Sequence, residues 1–569
     1  MNMNIETLLF KEIVIFPELF LGISIIYLVL HCTFLAIQKK YLLIQKSVLH
    51  LSTLSIFFSC YLILNEHLSS VEFLCLNNTF VNDYVSFSSK LIIGSLAIFC
   101  LLMMQSYVLS QKVNNFEYFL LILFSVLGMF LLCSANDFLT AYLAIELQSL
   151  AFYVLAAFKK NSTFSVDAGI KYFILGSFAS SLFLFGASLL YGLTGTIFFD
   201  DFQLMFLHVF PGLDSQLSVT QNGAIDYSDA HFIINQLDSQ IVTTGMKTLG
   251  SAQLEIVFLY QEIDCINHVK FLVNQVNEQG LFNSEINLIK FSLIFILIGL
   301  FFKLTAAPFH TWAPDVYEGS PSSSTFFFSV VPKLSIFVLL LRIFYHSFYG
   351  FIDSWRNFAV LVAIFSVIVG SFGGLDQKKL KSLLVYSTIS HMGYSLIALN
   401  AGTFESIQML LSYLIVYSFS GLCIWSIFLI TRLKTNYLQK QNKDLTDLVL
   451  LGKSNNVVAI FFTTVLFSVA GFPPMIGFLV KMGIFLTAIE SSMYFVALIS
   501  ILCSVIGTFY YIKLIKILYF EKMLVGKLYY PINLQNSCII TWLFFSLLFL
   551  FINPTLLFLI SHKFSLLVL

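Results

Sequence analysis

The chain has 569 residues, of which 58% are hydrophobic and 11% charged, and its 30 basic residues balance 30 acidic ones. Soluble domains carry about 25% charged residues, so this composition excludes a soluble protein and indicates a polytopic membrane protein. The zero net charge and the lack of a long basic cluster argue against nucleic-acid binding. The nine cysteines show no C-x-x-C spacing and the ten histidines are scattered, which argues against iron–sulfur, structural zinc and haem sites.

Apolar runs long enough to cross a bilayer recur along the whole chain. The N-terminus has no Arg-rich amphipathic transit segment, and the first run is too long for a cleaved signal peptide, so we expect synthesis and insertion in one compartment. The pattern predicts an all-α polytopic protein with about fourteen transmembrane helices, at 13–37, 41–64, 88–110, 116–134, 138–158, 170–194, 288–307, 323–349, 356–375, 381–402, 406–431, 456–486, 493–517 and 536–560.

The basic residues between these predicted spans favour one side of the membrane. If the N-terminus faces away from the side of synthesis, 19 of the 30 Lys and Arg residues lie on the synthesis side and eight on the opposite side. The remaining three are Lys303, Lys333 and Lys481, which fall inside spans. Because basic loops stay on the synthesis side, this bias supports both the helix count and the orientation.

A polar segment at 202–284 separates the sixth and seventh predicted spans and contains no spanning run. Two short amphipathic stretches within it, at 254–260 and 269–276, could pack as helices. The charge bias places this insert opposite the side of synthesis. We interpret it as a lineage-specific loop or small accessory lobe, with a partner-docking surface as the alternative.

Among the ionisable side chains within predicted spans, where a charged group costs about 3 kcal/mol to bury, five are the candidates for a functional role. They are Glu146, Lys303, Lys333, His391 and Lys481, on the fifth, seventh, eighth, tenth and twelfth spans. A single intramembrane lysine is ordinarily explained by an amine that reaches back to the headgroups. Three lysines and a glutamate at mid-helix depth in one chain instead indicate a functional row.

These residue types suit the movement of protons. A desolvated lysine holds its proton less tightly, and a nearby carboxylate strengthens that hold again, so the pair is a switchable proton store. His391 titrates near neutrality and could relay between such stores, although a histidine in a helix is ordinarily a satisfied core residue. Ser387, Ser390, Tyr386 and Tyr394 are close enough in sequence to hold a water wire around it.

Prolines interrupt two of the spans that carry a lysine. Pro308 and Pro314 follow Lys303, and Pro473 and Pro474 precede Lys481. Proline leaves backbone carbonyls without donors, so broken helices line cavities rather than lipid.

The matching positions of these breaks predict discontinuous seventh and twelfth helices in two inverted five-helix repeats, the architecture of many transporters. The predicted organisation is three N-terminal helices at 1–112, a first repeat with the insert at 116–349, a second repeat at 356–520 and a C-terminal helix at 536–560.

Several long motifs resemble subunit 2 of the proton-pumping NADH:ubiquinone oxidoreductase, respiratory complex I. They are FKLTAAPFHTWAPDVYEGSP, LAIELQSLAFYVLAA, KYFILGSFASSLFLFG, LKSLLVYSTISHMGYSL and SVAGFPPMIGFLVKMGIF. The resemblance covers nearly the whole chain except the insert. The motif PSSSTFFFSVVPKLS and the 64 phenylalanines favour the mitochondrial form over the plastid homologue. The full set of N-terminal helices resembles the plant, algal or protist versions rather than the shortened animal one.

The resemblance implies an antiporter-like subunit that translocates protons while other subunits transfer electrons. It assigns proton transfer to Glu146, Lys303, Lys333, His391 and Lys481, and it implies no cofactor in this chain, with NADH, FMN, iron–sulfur clusters and ubiquinone bound elsewhere in the complex. The implied partners are other membrane-arm subunits, including neighbouring antiporter-like subunits, and lipids such as cardiolipin. The implied location is the mitochondrial inner membrane, with both termini and the insert toward the intermembrane space.

A cation/proton antiporter subunit is the alternative function for these residues. A purely structural spacer would leave the midplane charges unexplained. We further expect Lys303 and Glu146 to form a midplane pair, separated by no more than one bridging water, and all five side chains to face the protein interior at similar depth. Lys481 is expected to face either a water path or a neighbouring subunit.

Overall fold

A computed structural model describes most of the membrane-embedded chain. The described residues are 15–37, 41–65, 73–110, 116–207, 282–435, 438–441, 444–449, 451–521, 529 and 532–568. Thirteen helices among them are long and apolar enough to cross a membrane, which confirms the all-α polytopic class. The predictions for the insert at 202–284 fall outside the described residues, except at its two ends.

Three helices and a short hairpin open the described chain. β1 pairs with β2 antiparallel between the second and third helices. The two outermost helices expose large apolar side chains such as Ile23 and Phe57, as lipid-facing helices do. The elements are α1 (Phe16–Ile37), α2 (Tyr41–Asn65), β1 (Phe73–Cys75), β2 (Phe80–Asn82) and α3 (Tyr84–Ser110).

The next group contains the first interrupted helix. α4 to α6 are continuous, and a short α7 leads toward the insert. α8 ends at Leu304, where Thr305 has a φ of +63°, and the chain resumes as α9 after Pro308. The elements are α4 (Glu117–Ser134), α5 (Phe138–Ala156), α6 (Thr163–Thr194), α7 (Phe199–Leu207), α8 (Phe282–Leu304), α9 (Trp312–Gly319), α10 (Ser322–Val330) and α11 (Pro332–Leu341), followed by a π-helical turn at Arg342–Ser347.

The second interrupted helix lies in the C-terminal half. The predicted run 456–486 consists of two 15-residue helices that flank Gly471 and the two prolines. β3 and β4 form an antiparallel hairpin after α14. The elements are α12 (Ile352–Gly373), α13 (Leu380–Ala401), α14 (Phe404–Ile430), β3 (Arg432–Thr435), β4 (Leu438–Gln441), α15 (Leu451–Ser454), α16 (Asn456–Ala470), α17 (Ile476–Glu490), α18 (Tyr494–Tyr519), α19 (Leu534–Ile552) and α20 (Thr555–Val568).

The C-terminal helix differs from the single span predicted at 536–560. It forms α19 and α20, which are separated by Asn553 and Pro554. Proline cannot donate to the carbonyl four residues earlier, so the helical hydrogen bonds stop there. Both pieces pack along α14.

Glycines bring two helix pairs into close contact beside predicted site residues. A Cβ on Gly128 of α4 would lie 3.0 Å from the Gln148 nitrogen of α5, one half-turn from Glu146. A Cβ on Gly370 of α12 would lie 2.4 Å from the Ser390 nitrogen of α13, directly before His391. Only glycine allows such backbone approach. The most enclosed spans are α10–α11 and α13, followed by α14, and they form the centre of the bundle.

Candidate functional site

One face of α5 carries a stripe of polar side chains. Tyr142, Glu146, Ser149 and Tyr153 are spaced four, three and four residues apart, which places them on one side of a helix. The Ser149 hydroxyl lies 3.3 Å from Glu146 Oε2, and Tyr142 and Tyr153 lie beside Glu146 and Ser149 respectively. Glu146 is half-buried, near the outer side of the bundle.

Lys303 contacts this stripe from the last turn of α8. Its Nζ donates to the Tyr153 hydroxyl at 3.3 Å and lies 5.6 Å from the centre of that ring. Among the described side chains it makes no ion pair within 4.0 Å, so the expected pairing with Glu146 is not a direct contact. Glu146 is nevertheless the charged group that acts on Lys303, and the pairing through an intervening group stays a prediction. Ser149 and Tyr153 occupy the space between the two charges, which are close enough to interact electrostatically.

A small cavity of about 20 Å³ adjoins Lys303. It is lined by side chains of α5, α6, α8, α9, α10 and α11, among them Ser149, Trp312, Tyr317 and Pro332. A cavity of this size holds about one water molecule, and the polar groups in its wall can bind it. The broken seventh helix therefore lines a small cavity, as the prolines predict, and Gln148, Ser149 and Lys303 contribute polar groups to a largely apolar wall.

Lys333 lies at the first turn of α11, directly after Pro332. Its side chain is 3% exposed, and its Nζ donates to the Tyr417 hydroxyl of α14 at 3.0 Å. The same ammonium lies 4.9 Å from the centre of the Tyr417 ring, a cation–π geometry.

His391 joins three helices through tyrosine hydroxyls. Its Nδ1 lies 2.5 Å from the Tyr413 hydroxyl of α14, and its Nε2 lies 3.2 Å from the Tyr511 hydroxyl of α18. The imidazole also lies against the Tyr417 ring, with 5.3 Å between centroids. A neutral imidazole has one donor and one acceptor nitrogen, so this arrangement can receive a proton on one side and release it on the other.

The serines predicted to hold a water wire around His391 lie next to tyrosines of α18, with Ser387 beside Tyr511 and Ser390 beside Tyr510. Ser387 and Ser390 donate to carbonyls of their own helix, at 2.6 and 2.8 Å. Tyr386 lies against Gly373 of α12, whereas Tyr394 is part of the site, with its ring 6.1 Å from that of His391. Tyrosines from neighbouring helices thus surround the histidine.

Lys481 binds the broken end of α16. Its Nζ donates to the carbonyls of Val469 at 2.7 Å and Ala470 at 3.0 Å. In a continuous helix these carbonyls would accept from residues 473 and 474, which are prolines without N–H groups. The lysine therefore replaces the two missing backbone donors, and its Nζ lies 5.4 Å from the Tyr394 ring centre.

The five predicted residues thus form two connected groups. The stripe of α5 links Glu146 to Lys303, and tyrosine rings link Lys333, His391 and Lys481. Sequence reasoning missed the tyrosines that make these links, although the spacing of Tyr153 from Glu146 and of Tyr413 from Tyr417 could have indicated shared helix faces. These missed residues are Tyr153, Tyr413, Tyr417 and Tyr511.

Four ion pairs among the described residues lie away from this row, and two of them are largely buried. Lys90 of α3 pairs with Glu18 of α1, both about 5% exposed, and Arg342 pairs with Asp83 at 2.8 Å. The charge count places Lys90 and Arg342 on the side opposite synthesis, and their acidic partners, which are distant in sequence, were not predicted. The described residues contain no group of three or more His, Cys, Asp or Glu side chains that could hold a metal ion.

A family model and full-length relatives assign the chain to the same protein family. The family described as NADH:quinone oxidoreductase/Mrp antiporter, transmembrane, matches residues 135–225 and 239–507. The chain is 34% identical to NADH-ubiquinone oxidoreductase chain 2 of Marchantia polymorpha, over 97% of this chain and 98% of that protein. It is 33% identical to NADH-quinone oxidoreductase subunit N of Pelagibacter ubique, over 89% of each chain.

Solved structures share the fold at lower identity. A chain of respiratory complex I from Thermus thermophilus matches with a TM-score of 0.68 and 23% identity, over 95% of this chain and 98% of that one. A chain of the Mrp complex from Dietzia sp. DQ12-45-1b matches with a TM-score of 0.70 and 15% identity, over 96% of each. The chain belongs to the family of NADH:quinone oxidoreductase and Mrp antiporter membrane subunits.

Proposed function

We propose that this chain is a proton-translocating membrane-arm subunit of NADH:ubiquinone oxidoreductase, driven by electron transfer in other subunits. The observation that carries the proposal is the series of five titratable side chains within apolar helices, joined by hydroxyl groups. Burying titratable groups in apolar helices costs free energy, and a role in proton transfer explains why each of the five is present. The full-length match to relatives named as NADH-ubiquinone oxidoreductase chain 2 supports the assignment to this complex.

In this proposal, protons move between the five residues through hydroxyls and water. Glu146 exchanges protons with Lys303 through Ser149 and Tyr153, whose hydroxyls can each accept one proton and donate another. Lys333 exchanges protons with His391 by way of Tyr417. Lys481 forms the end of the row, at the broken twelfth helix.

We further propose the domain organisation predicted from the sequence. The first repeat comprises 116–349, the second comprises 356–520, and helices at 1–112 and 536–560 flank them. Equivalent features support this division: each repeat opens with a helix pair in close glycine contact beside a titratable residue, and each has a lysine at a broken helix. Glu146 corresponds to His391, and Lys303 to Lys481.

The proposal also covers the subunits, lipids and membrane that surround the chain. NADH, FMN, iron–sulfur clusters and ubiquinone would bind to other subunits, and neighbouring antiporter-like subunits would contact this one. The half-buried Glu146 supports such a contact, because a carboxylate at the outer side of the bundle is better covered by protein than by lipid. Membrane lipids such as cardiolipin would fill the remaining perimeter in the mitochondrial inner membrane, with both chain termini toward the intermembrane space.

A cation/proton antiporter subunit is the second candidate function. The fold match to a chain of the Mrp complex favours it, although the identity there is only 15%. Purification of the native species separates the two functions. A very large assembly with flavin and iron–sulfur proteins supports the first, and an assembly without redox centres supports the second.

Replacement of Lys303 tests the proposed proton path. We expect Lys303→Met to leave the assembly largely intact and to reduce NADH-driven proton pumping and coupled quinone reduction. The matched control is Lys290→Met, the same substitution on α8 but outside the row. Both are measured in proteoliposomes containing the native assembly.

The two variants distinguish a specific role from a general effect. Wild-type pumping in Lys303→Met would contradict the proposal. An equal loss in Lys290→Met would attribute the defect to disturbance of α8 and would also count against a specific role for Lys303.

A further inference from the structure

The row of titratable residues has a gap in its middle. Lys303 contacts Tyr153 on one side, and Lys333 contacts Tyr417 on the other. No hydrogen bond among the described residues joins the two lysines. The cavity beside Lys303, however, extends to Pro332, the residue directly before Lys333.

Tyr317 of α9 lies in this gap. Its side chain is 1% exposed and forms part of the cavity wall. Its hydroxyl donates to the Phe328 carbonyl of α10 at 3.4 Å. This carbonyl is free to accept because Pro332, four residues later, has no N–H group.

The contact between Tyr317 and Phe328 is suited to breaking and re-forming. A hydroxyl donor prefers a separation of about 2.7–2.8 Å, so 3.4 Å corresponds to a weak hydrogen bond. The Tyr317 hydroxyl can therefore turn toward a water in the adjoining cavity at small cost. The Phe328 carbonyl would then be left to a cavity water.

Tyr317 is also close to the second half of the row. The cavity that Tyr317 lines is also bounded by Pro332 and Ile336 of α11, which flank Lys333 in sequence, and Lys333 donates to the Tyr417 hydroxyl. Tyr317 thus borders the water space of Lys303 and the segment of α11 that carries Lys333.

We propose that the Tyr317 hydroxyl relays protons between the Lys303 cavity and the Tyr417–Lys333 pair, with the Phe328 carbonyl as its resting acceptor. The inference rests on the proposed function. In each transfer the hydroxyl oxygen accepts one proton from cavity water and the hydroxyl releases its own proton toward Tyr417. The phenol therefore ends in its original state, and reversal of the transfer moves a proton the other way.

The test removes the hydroxyl and keeps the ring. We expect Tyr317→Phe to assemble normally and to lower the rate of NADH-driven proton pumping about tenfold or more, in the range for loss of a proton-transferring group. The matched control is Tyr118→Phe, another buried tyrosine whose hydroxyl donates to α10, at Ser323 over 2.7 Å, away from the cavity. We expect this control to pump at the wild-type rate.

A second background separates proton transfer from a structural role. If Tyr317 serves only to satisfy the Phe328 carbonyl, Pro332→Ala supplies a backbone N–H for that carbonyl and should rescue Tyr317→Phe. A relay predicts that the double variant Tyr317→Phe/Pro332→Ala remains as slow as Tyr317→Phe. Rescue would overturn the proposal. If Pro332→Ala alone abolishes pumping, the double variant is uninformative, and the comparison of Tyr317→Phe with Tyr118→Phe tests the relay. Slower pumping in Tyr317→Phe than in Tyr118→Phe supports it, and equal rates overturn it.

The outcomes also separate this inference from the proposed function. Wild-type pumping in Tyr317→Phe together with loss in Lys303→Met overturns the relay and leaves the proposed function intact. Wild-type pumping in both variants contradicts the proposed function itself. Equal losses in Tyr317→Phe and Tyr118→Phe overturn the specific role of Tyr317.

Discussion

The three buried lysines are held in different ways, although the sequence presents them as equivalent. Lys303 donates to one tyrosine hydroxyl, and Lys333 combines such a hydroxyl with the face of the same ring. Lys481 instead binds two backbone carbonyls that prolines leave without donors. Replacing each lysine should therefore have a different effect on stability.

Lys481→Met should destabilise the protein more than Lys303→Met. The first substitution leaves the carbonyls of Val469 and Ala470 unpaired in the interior, at a cost of about 1–3 kcal/mol each. The second leaves only the Tyr153 hydroxyl without its donor. Thermal melting of the purified assemblies measures the difference, and an equal or larger loss of melting temperature in Lys303→Met would contradict this account of Lys481.

The sequence predicts the titratable residues of the site better than their contacts. Glu146 and His391 were identified because a charged or titratable side chain in an apolar run requires an explanation. The tyrosines were missed because the chain contains 26 of them and apolar helices tolerate tyrosine without any functional role. The pairing of Glu146 and Lys303 was expected from charge alone, whereas the contact of Lys303 with the Tyr153 hydroxyl was not foreseen.

At the scale of elements, the interruptions of the helices follow from prolines and are predictable, whereas irregularities that depend on packing between distant segments are not. The discontinuity at Pro473 and Pro474 was predictable, because two adjacent residues lack N–H donors. The interruption at Pro554 follows from the same rule but was not predicted. The π-helical turn at Arg342–Ser347 was not predictable, since it depends on contacts such as that of Arg342 with Asp83 of a distant segment.

Gly471→Ala tests whether the helix interruption after α16 requires a glycine. Gly471 has a φ of +87°, which disfavours any residue with a Cβ, and a Cβ there would lie 2.9 Å from Cδ of Lys481. We expect a loss of about 1–3 kcal/mol in stability together with slower pumping.

The matched control is Gly192→Ala on α6, where a Cβ would meet nothing within 4 Å. Alanine is favoured over glycine in a helix, so this variant should be neutral or slightly more stable. Thermal melting and pumping rates check both variants, and equal behaviour of the two would contradict a strained break at Gly471.

At the scale of the whole molecule, span length and composition predict the class. Fourteen spans were predicted, and thirteen helices among the described residues are long and apolar enough to cross a membrane, because the run 456–486 forms the two shorter helices α16 and α17. Length and composition cannot predict which spans meet, since the convergence of α5, α8, α11, α13 and α17 depends on contacts between distant segments. The sequence motifs supplied what span length and composition could not, namely the family, which is confirmed over nearly the full chain.

The orientation of the chain leads to a prediction about the insert. Phe202 and Phe206 of α7 pack against Phe348, which anchors the start of the insert to one end of the bundle. Five crossings separate the insert from the hairpin β3–β4, so the two face opposite sides. Trypsin added from the intermembrane-space side should cleave after Lys247 or Lys270 in the insert, and pumping should survive.

Trypsin added from the matrix side should instead cleave near the hairpin, at Lys440 or Lys443. Immunoblotting of intact and inverted membrane vesicles distinguishes the fragments. Cleavage of the insert only from the matrix side would reverse the proposed orientation, and loss of pumping after cleavage would contradict a dispensable insert.

The most direct test of the central claim is a structure of the native assembly that resolves ordered water. We expect water molecules and hydroxyls to form a continuous chain from Glu146 through Lys303, Lys333 and His391 to Lys481, with all five side chains facing the protein interior at similar depth. A row interrupted by dry, apolar packing, or two or more of these side chains pointing into lipid, would contradict the claim that protons move along it.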